Sequence, residues 1–116
     1  MRIAVASIGL DVAPSYSQCE NYNYYTTQSY EIIASQNFPA QGVSADECAT
    51  MMESMNVDVL VCDEIGDLTR SAFEAHDIKV IDSKKGKALQ VAQELVEEMA
   101  EALIAGNDED DEDQIA

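Results

Sequence analysis

Residues able to do chemistry gather at three places in this chain. The stretch VLVCDEIG, residues 59–66, runs from an apolar segment into Cys62, two carboxylates, Ile65 and Gly66. A cysteine there is a buried small hydrophobe, a catalytic thiolate or one side of a ligand cradle. The stretch SIGLDVAPSYSQC, residues 7–19, carries Gly9, Asp11, Ser15, Tyr16 and Cys19. Cys19 lies in a polar loop and is the thiol with most access to solvent. The stretch SKKGK, residues 83–87, holds Lys84, Lys85 and Lys87, half of the six basic residues. With the first free N–H groups of a helix beyond Gly86, these lysines make either an anion-binding corner or a solvated turn that offsets nearby acids.

Other chemistries find less support. Asp11, Asp63 and Asp82 all fall near strand ends and could form a two-metal nuclease centre. However, the net charge of −17 would repel a nucleic acid, and there is no basic groove. The phosphate-loop and dinucleotide signatures GxxxxGK[ST] and GxGxxG are missing. His76 is the only histidine, and no local signature brings it to a nucleophile; its place near a helix end beside Asp77 predicts a charge interaction with that terminus. Three cysteines without CxxC spacing argue for reduced thiols rather than a disulfide framework or a structural zinc site.

The length of 116 residues, with 47% hydrophobic and 25% charged, fits one domain with a modest core. The run DEDDED at 108–113 supplies six acids, and without it 17 acids still face 6 bases, for a net −11. That like-charge block cannot bury itself, so residues 107–116 are expected to be a disordered tail following a domain of residues 1–106. No run of roughly 18 apolar residues and no export signal is visible, which predicts a cytoplasmic protein with no membrane and no nucleic-acid partner.

The elements that must position these residues follow from periodicity. Residues 2–7, RIAVAS, read as a buried strand feeding a loop. Two stretches rich in Tyr, Thr and Ile, 22–27 and 30–36, read as a hairpin. Ser44 and Glu47 form a capping box ahead of a helix whose stripe is Ala45, Cys48, Met52 and Met55; Cys48 and the methionines at 51, 52 and 55 are core filling. A strand at 57–62, a short helix capped by Asp67, a strand at 78–82 and a long helix from residue 87 follow. Leu89, Ala92, Val96, Met99 and Leu103 give the long helix its core face, and Gly106 its stop. The order is β-β-β-α-β-α-β-α: a single α/β domain with a five-stranded mixed sheet and covering helices. In such sheets the loops at the carboxyl ends of the strands collect ligands, and all three chemical stretches are such loops.

From MRIAVAS through DVAPSYSQCENYNYY and VDVLVCDEIG to FEAHDIKVID and GKALQVAQELVEEM, the chain resembles the dinitrogenase iron-molybdenum cofactor biosynthesis family over roughly residues 1–104. Val12 and Cys19 match the family's first loop. Tyr16 replaces its aromatic, and Ser15 and Ser17 stand where His and Gly are common. Cys62, Ile65 and Gly66 match its C-G-G-I-G-like second loop, with Asp63 and Glu64 in place of glycines. The resemblance implies a ribonuclease-H-like domain that binds, carries or helps assemble an anionic metal-sulfur cluster without catalysis. That cluster would be of the iron-molybdenum cofactor type or, as in orange-protein relatives, a mixed molybdenum-copper sulfide, and protein partners would take part in its delivery. The implied cofactor-binding residues are Gly9, Asp11, Ser15, Tyr16, Cys19, Cys62, Ile65, Gly66, Lys84, Lys85 and Lys87, with Cys19 and Cys62 as direct metal ligands. The alternative is an acidic protein-protein interaction module without a cofactor.

Overall fold

A computed structural model of the chain describes the backbone of residues 1–115 and the side chains of residues 1–103. Its elements are β1 (Arg2–Ile8), β2 (Asp11–Val12), β3 (Asn21–Gln28), β4 (Glu31–Pro39), α1 (Ala45–Ser54), β5 (Val59–Val61), α2 (Asp67–Glu74), β6 (Lys79–Ile81) and α3 (Ala88–Ile115). The strands form one sheet in the order β4-β3-β1-β5-β6, with β2 beside β1. Strands β1, β3 and β4 run antiparallel to their neighbours, while β1, β5 and β6 are parallel. The sheet is therefore mixed, as expected, but has six strands rather than five.

The extra strand comes from a turn that sequence patterning does not reveal. Gly9 adopts φ +62, a left-handed conformation open to glycine at no steric cost, and the chain reverses within two residues. Ser7 then pairs with Val12 and Ile8 with Asp11. Asn21 accepts from the Gly9 N–H at 2.7 Å, and both Asn21 and Asn23 donate to its carbonyl at 2.9 Å. The β3–β4 hairpin also differs slightly from expectation: Ser29 and Tyr30 both have positive φ, so Tyr30 belongs to a two-residue turn and not to a strand.

Strand alternation builds two cores. Ala4, Ala6, Tyr22, Tyr24, Leu60 and Cys62 face α1 and α2, where they meet Cys48, Ala49, Met52 and Phe73. Ile3, Val5, Tyr25, Val59 and Val61 face α3. The result is three layers, helices on both sides of the sheet. On α3 the buried stripe is Ala88, Val91, Ala92, Leu95 and Val96; Leu89, Met99 and Leu103, expected in the core, are exposed. The helix carries apolar residues on two overlapping stripes. The buried one shares Ala92 and Val96 with the expected one but adds Ala88, Val91 and Leu95, and the Ala88 N–H anchors the helix to the Leu10 carbonyl at 2.8 Å.

Four local expectations change. Gly66, not Asp67, is the N-cap of α2, and no side chain caps that terminus. The capping box of α1 forms only in its first half, Ser44 accepting from the Glu47 N–H. His76 pairs with Glu53 of α1 rather than with its own helix terminus. The α3 backbone continues to Ile115, so no helix stop falls at Gly106. The expected acidic tail, 107–116, lies outside the residues whose side chains are described. Among the described residues no helix is long and apolar enough to cross a membrane.

Candidate functional site

Three loops meet at the carboxyl ends of β1, β5 and β6. The Tyr16 N–H donates to the Glu64 carbonyl at 2.7 Å, and Ser15 forms a parallel bridge to Glu64. The Ser83 N–H donates to the Asp63 carbonyl at 2.9 Å, and the Lys84 N–H to the Cys62 carbonyl at 3.1 Å. These main-chain bonds make a rigid mouth from segments distant in sequence. Between them lies a crevice of about 530 Å³ lined by Ser15, Tyr16, Ser17, Asp63, Glu64, Ile65, Gly66, Thr69, Asp82 and Ser83. Ser83 holds φ +59, a conformation costly for a residue with a side chain.

Helix α2 begins at this crevice. Because Gly66 has no side chain to cap it, the first-turn N–H groups of α2 stay available to a ligand, and the helix dipole favours negative charge there. The walls carry three acids, two of them compensated. Asp63 is buried and meets Lys85 at 2.6 Å, and Asp82 meets Arg70 at 2.6 Å. Hydrogen bonding to Asp63 pushes the Lys85 ammonium up from its ordinary pKa, so Lys85 stays charged.

The expected residues separate into groups. Ser15, Tyr16, Ile65 and Gly66 line the crevice. Tyr16 is fixed by an edge-on contact with Phe73, ring centres 5.5 Å apart, and by a 3.1 Å hydrogen bond to its hydroxyl from Tyr22; burial raises its pKa and keeps it protonated. Cys62 and Cys19 stand behind the walls, not on them. Cys62 is fully buried, and burial, reinforced by the Asp82 carboxylate, pushes its thiol up to about 11. Cys19 packs partly against the core and donates to the Asn21 carbonyl at 3.2 Å; burial raises its pKa as well. Both therefore favour the neutral thiol in the metal-free protein. Among the described residues no group of three or more His, Cys, Asp or Glu could hold a metal ion.

The lysines also part company. Lys85 guards Asp63, but Lys87 pairs with Asp11 at 2.9 Å and borders a different crevice of about 500 Å³, with Leu10, Asn23, Tyr25, Asn37 and Leu89. Gly9 belongs to the turn beside that second crevice and has its polar groups already bonded. Sequence reasoning missed Thr69, Arg70, Ser83 and the role of Asp82. The usable signal was position: a residue one turn into the helix after CDEIG, or at the end of the next strand, faces the same mouth. Asn21 and Asn23 carried no such signal.

Fold and crevice together define a class: a small three-layer α/β domain whose loops wall a pocket at an uncapped helix N-terminus. The chain belongs to the family described as dinitrogenase iron-molybdenum cofactor, which matches residues 1–106. Among solved structures, that of PH0822 is similar with a TM-score of 0.76 at 11% identity, over 83% of this chain and 88% of that one. A Methanocaldococcus jannaschii protein described provisionally as a dinitrogenase is similar with a TM-score of 0.68 at 13% identity, over 84% and 88%. The apo form of the orange protein from Desulfovibrio gigas has a TM-score of 0.64 at 21% identity, over 87% and 88%. At these identities the likeness is one of fold. No match is found among curated proteins.

Proposed function

We propose that this domain holds and carries an anionic metal-sulfur cluster without catalysing a reaction, and that it seats the cluster noncovalently in the crevice between residues 15–17 and 63–66. The cluster is of the iron-molybdenum cofactor type or a mixed molybdenum-copper sulfide. The observation that carries this reading is the uncapped N-terminus of α2 opening into a crevice of about 530 Å³. Sulfide ligands on a cluster accept hydrogen bonds, and main-chain N–H groups supply donors without requiring a thiolate. Arg70 and Lys85 offset Asp82 and Asp63, so the walls admit an anion despite the acidic chain. Family membership supports the ligand class. The antiparallel β4-β3-β1 run followed by parallel β5 and β6 supports a ribonuclease-H-like sheet. A cytoplasmic location and delivery by protein partners belong to the same reading.

The test is to incubate the protein with tetrathiomolybdate, alone and with copper or iron, desalt it, and record the visible spectrum and bound metal. Retained colour and molybdenum are expected. Gly66→Asp supplies a carboxylate cap: the backbone there, φ −74 and ψ 155, suits any residue, and an added Cβ meets nothing within 4 Å. This variant should fold at least as stably and lose the cluster. Replacing Lys84, Lys85 and Lys87 together by Gln should weaken retention, whereas Cys19→Ser should matter less. A colourless, metal-free wild-type protein would instead favour the acidic interaction module. Loss of colour in Cys19→Ser, with retention in Gly66→Asp, would establish sulfur ligation in place of the main-chain cradle.

A further inference from the structure

The two edges of the sheet are treated differently. At one edge β6 is three residues long, and Arg70 closes it by donating to the outward Val80 carbonyl at 3.3 Å. At the other, β4 runs nine residues and is exposed along almost its whole length. Glu31 is its only charge, and residues 32–39, IIASQNFP, contain no lysine and no proline before the last position. In a chain of net −17 such a stretch is conspicuous, because edges are ordinarily blunted by charge, proline or a covering element. A register shift between Thr26 and Thr27 leaves Ile33 as the extra residue, so Ala34–Phe38 forms the regular part of the edge.

Ladder alternation identifies the free groups. Arg2 turns both its N–H and its carbonyl toward Asp58, at 2.9 Å each, and so away from β3. Ile3 and Val5 therefore bond to Tyr25 and Asn23, leaving Tyr22, Tyr24 and Thr26 to bond to Phe38, Gln36 and Ala34. The N–H and carbonyl groups of Ser35 and Asn37 point outward.

We propose that β4 pairs antiparallel with β4 of a second copy of this chain, about a twofold axis at Gln36. Ser35 of each copy then faces Asn37 of the other, and the four outward groups on each copy close four main-chain hydrogen bonds. The same register sets the exposed Phe38 of one copy against Ala34 of the other, and Glu31, the only charge on β4, lies beyond the bulge and outside the paired segment. Polar meets polar at the centre, Phe38 meets Ala34 at each end, and no acid lies in the paired segment. The two six-stranded sheets become one of twelve strands. The contact is smaller than a standard interface, so the dimer is weak and concentration-dependent. Remote acids on the two copies repel, so added salt tightens it.

The test is sedimentation velocity on the full chain from about 1 µM to about 1 mM, at low and high NaCl. A reversible dimer favoured by salt is expected. Ser35→Pro removes one outward N–H from each copy without touching the β3–β4 ladder, and should raise the dimer dissociation constant about thirtyfold. Ser35→Ala keeps the N–H and should leave the constant unchanged. Amide hydrogen exchange on the wild type is an independent check: protection should grow with concentration at Ser35 and Asn37 but not at Ala34 and Gln36. A monomer throughout the range, or a dimer indifferent to Ser35→Pro with no change at those two amides, overturns the proposal.

Discussion

Raising the pH tests the claim that Cys62 is a packed neutral thiol. Its pKa is raised in the fold, from 9.0 to about 11, chiefly because burial disfavours the thiolate. In the unfolded chain the thiol ionises near 9.0, so above that pH deprotonation stabilises the unfolded state alone. The stabilisation tied to the neutral thiol is fully present below pH 9 and is lost as the pH climbs toward 11. Between pH 8 and pH 10 the two pKa values give a loss of about 1.3 kcal/mol from this group. Cysteine and tyrosine side chains of the unfolded chain also ionise in this region, so the quantity to measure is a difference. Urea unfolding of the wild type and of Cys62→Ala, under reducing conditions at pH 8 and pH 10, isolates it. The wild type should lose about 1.3 kcal/mol more than the variant over that interval. Equal losses would refute the reasoning, and a smaller loss in the wild type would mean that the folded protein stabilises the thiolate, as a cluster ligand requires.

Other outcomes follow from the same geometry. In native protein under a thiol reagent, Cys19 should label first and the buried Cys48 and Cys62 much later; mass spectrometry of timed samples reads the order. Phe73→Ala empties a fully buried site that braces Tyr16 and should cost about 3–5 kcal/mol in urea unfolding, with a loss under 1 kcal/mol contradicting the packing. Cutting after Asn107 removes six like charges, and the melting temperature should stay within a few degrees of the full chain's, as a thermal scan will measure.

Residue order by itself determined the kind of protein this is. Alternating apolar strands and helical stripes are local signals, and they identified every major element and the mixed α/β class. The two loop motifs pointed to the family and to the crevice between them, because strand ends followed by helix starts are also readable locally. The face of α3, however, depended on which of two overlapping apolar stripes met the sheet: Ala88, Val91 and Leu95 are buried while Leu89, Met99 and Leu103 are exposed, and residue type does not separate the two sets. The small strand β2 required knowing that Asn21 and Asn23 would reach across to bond Gly9. The site divided in the same way. Lys84, Lys85 and Lys87 are neighbours in sequence, yet Lys85 and Lys87 pair with Asp63 and Asp11 beside different crevices, because a turn points successive side chains apart. Cys19 and Cys62 belong to the right loops but stand behind the wall, since an alternating chain sends about half of its side chains inward. Only the tertiary structure showed that Gly66, and no capping side chain, begins α2 at the mouth of the crevice, because a cap is defined by backbone geometry and not by residue order.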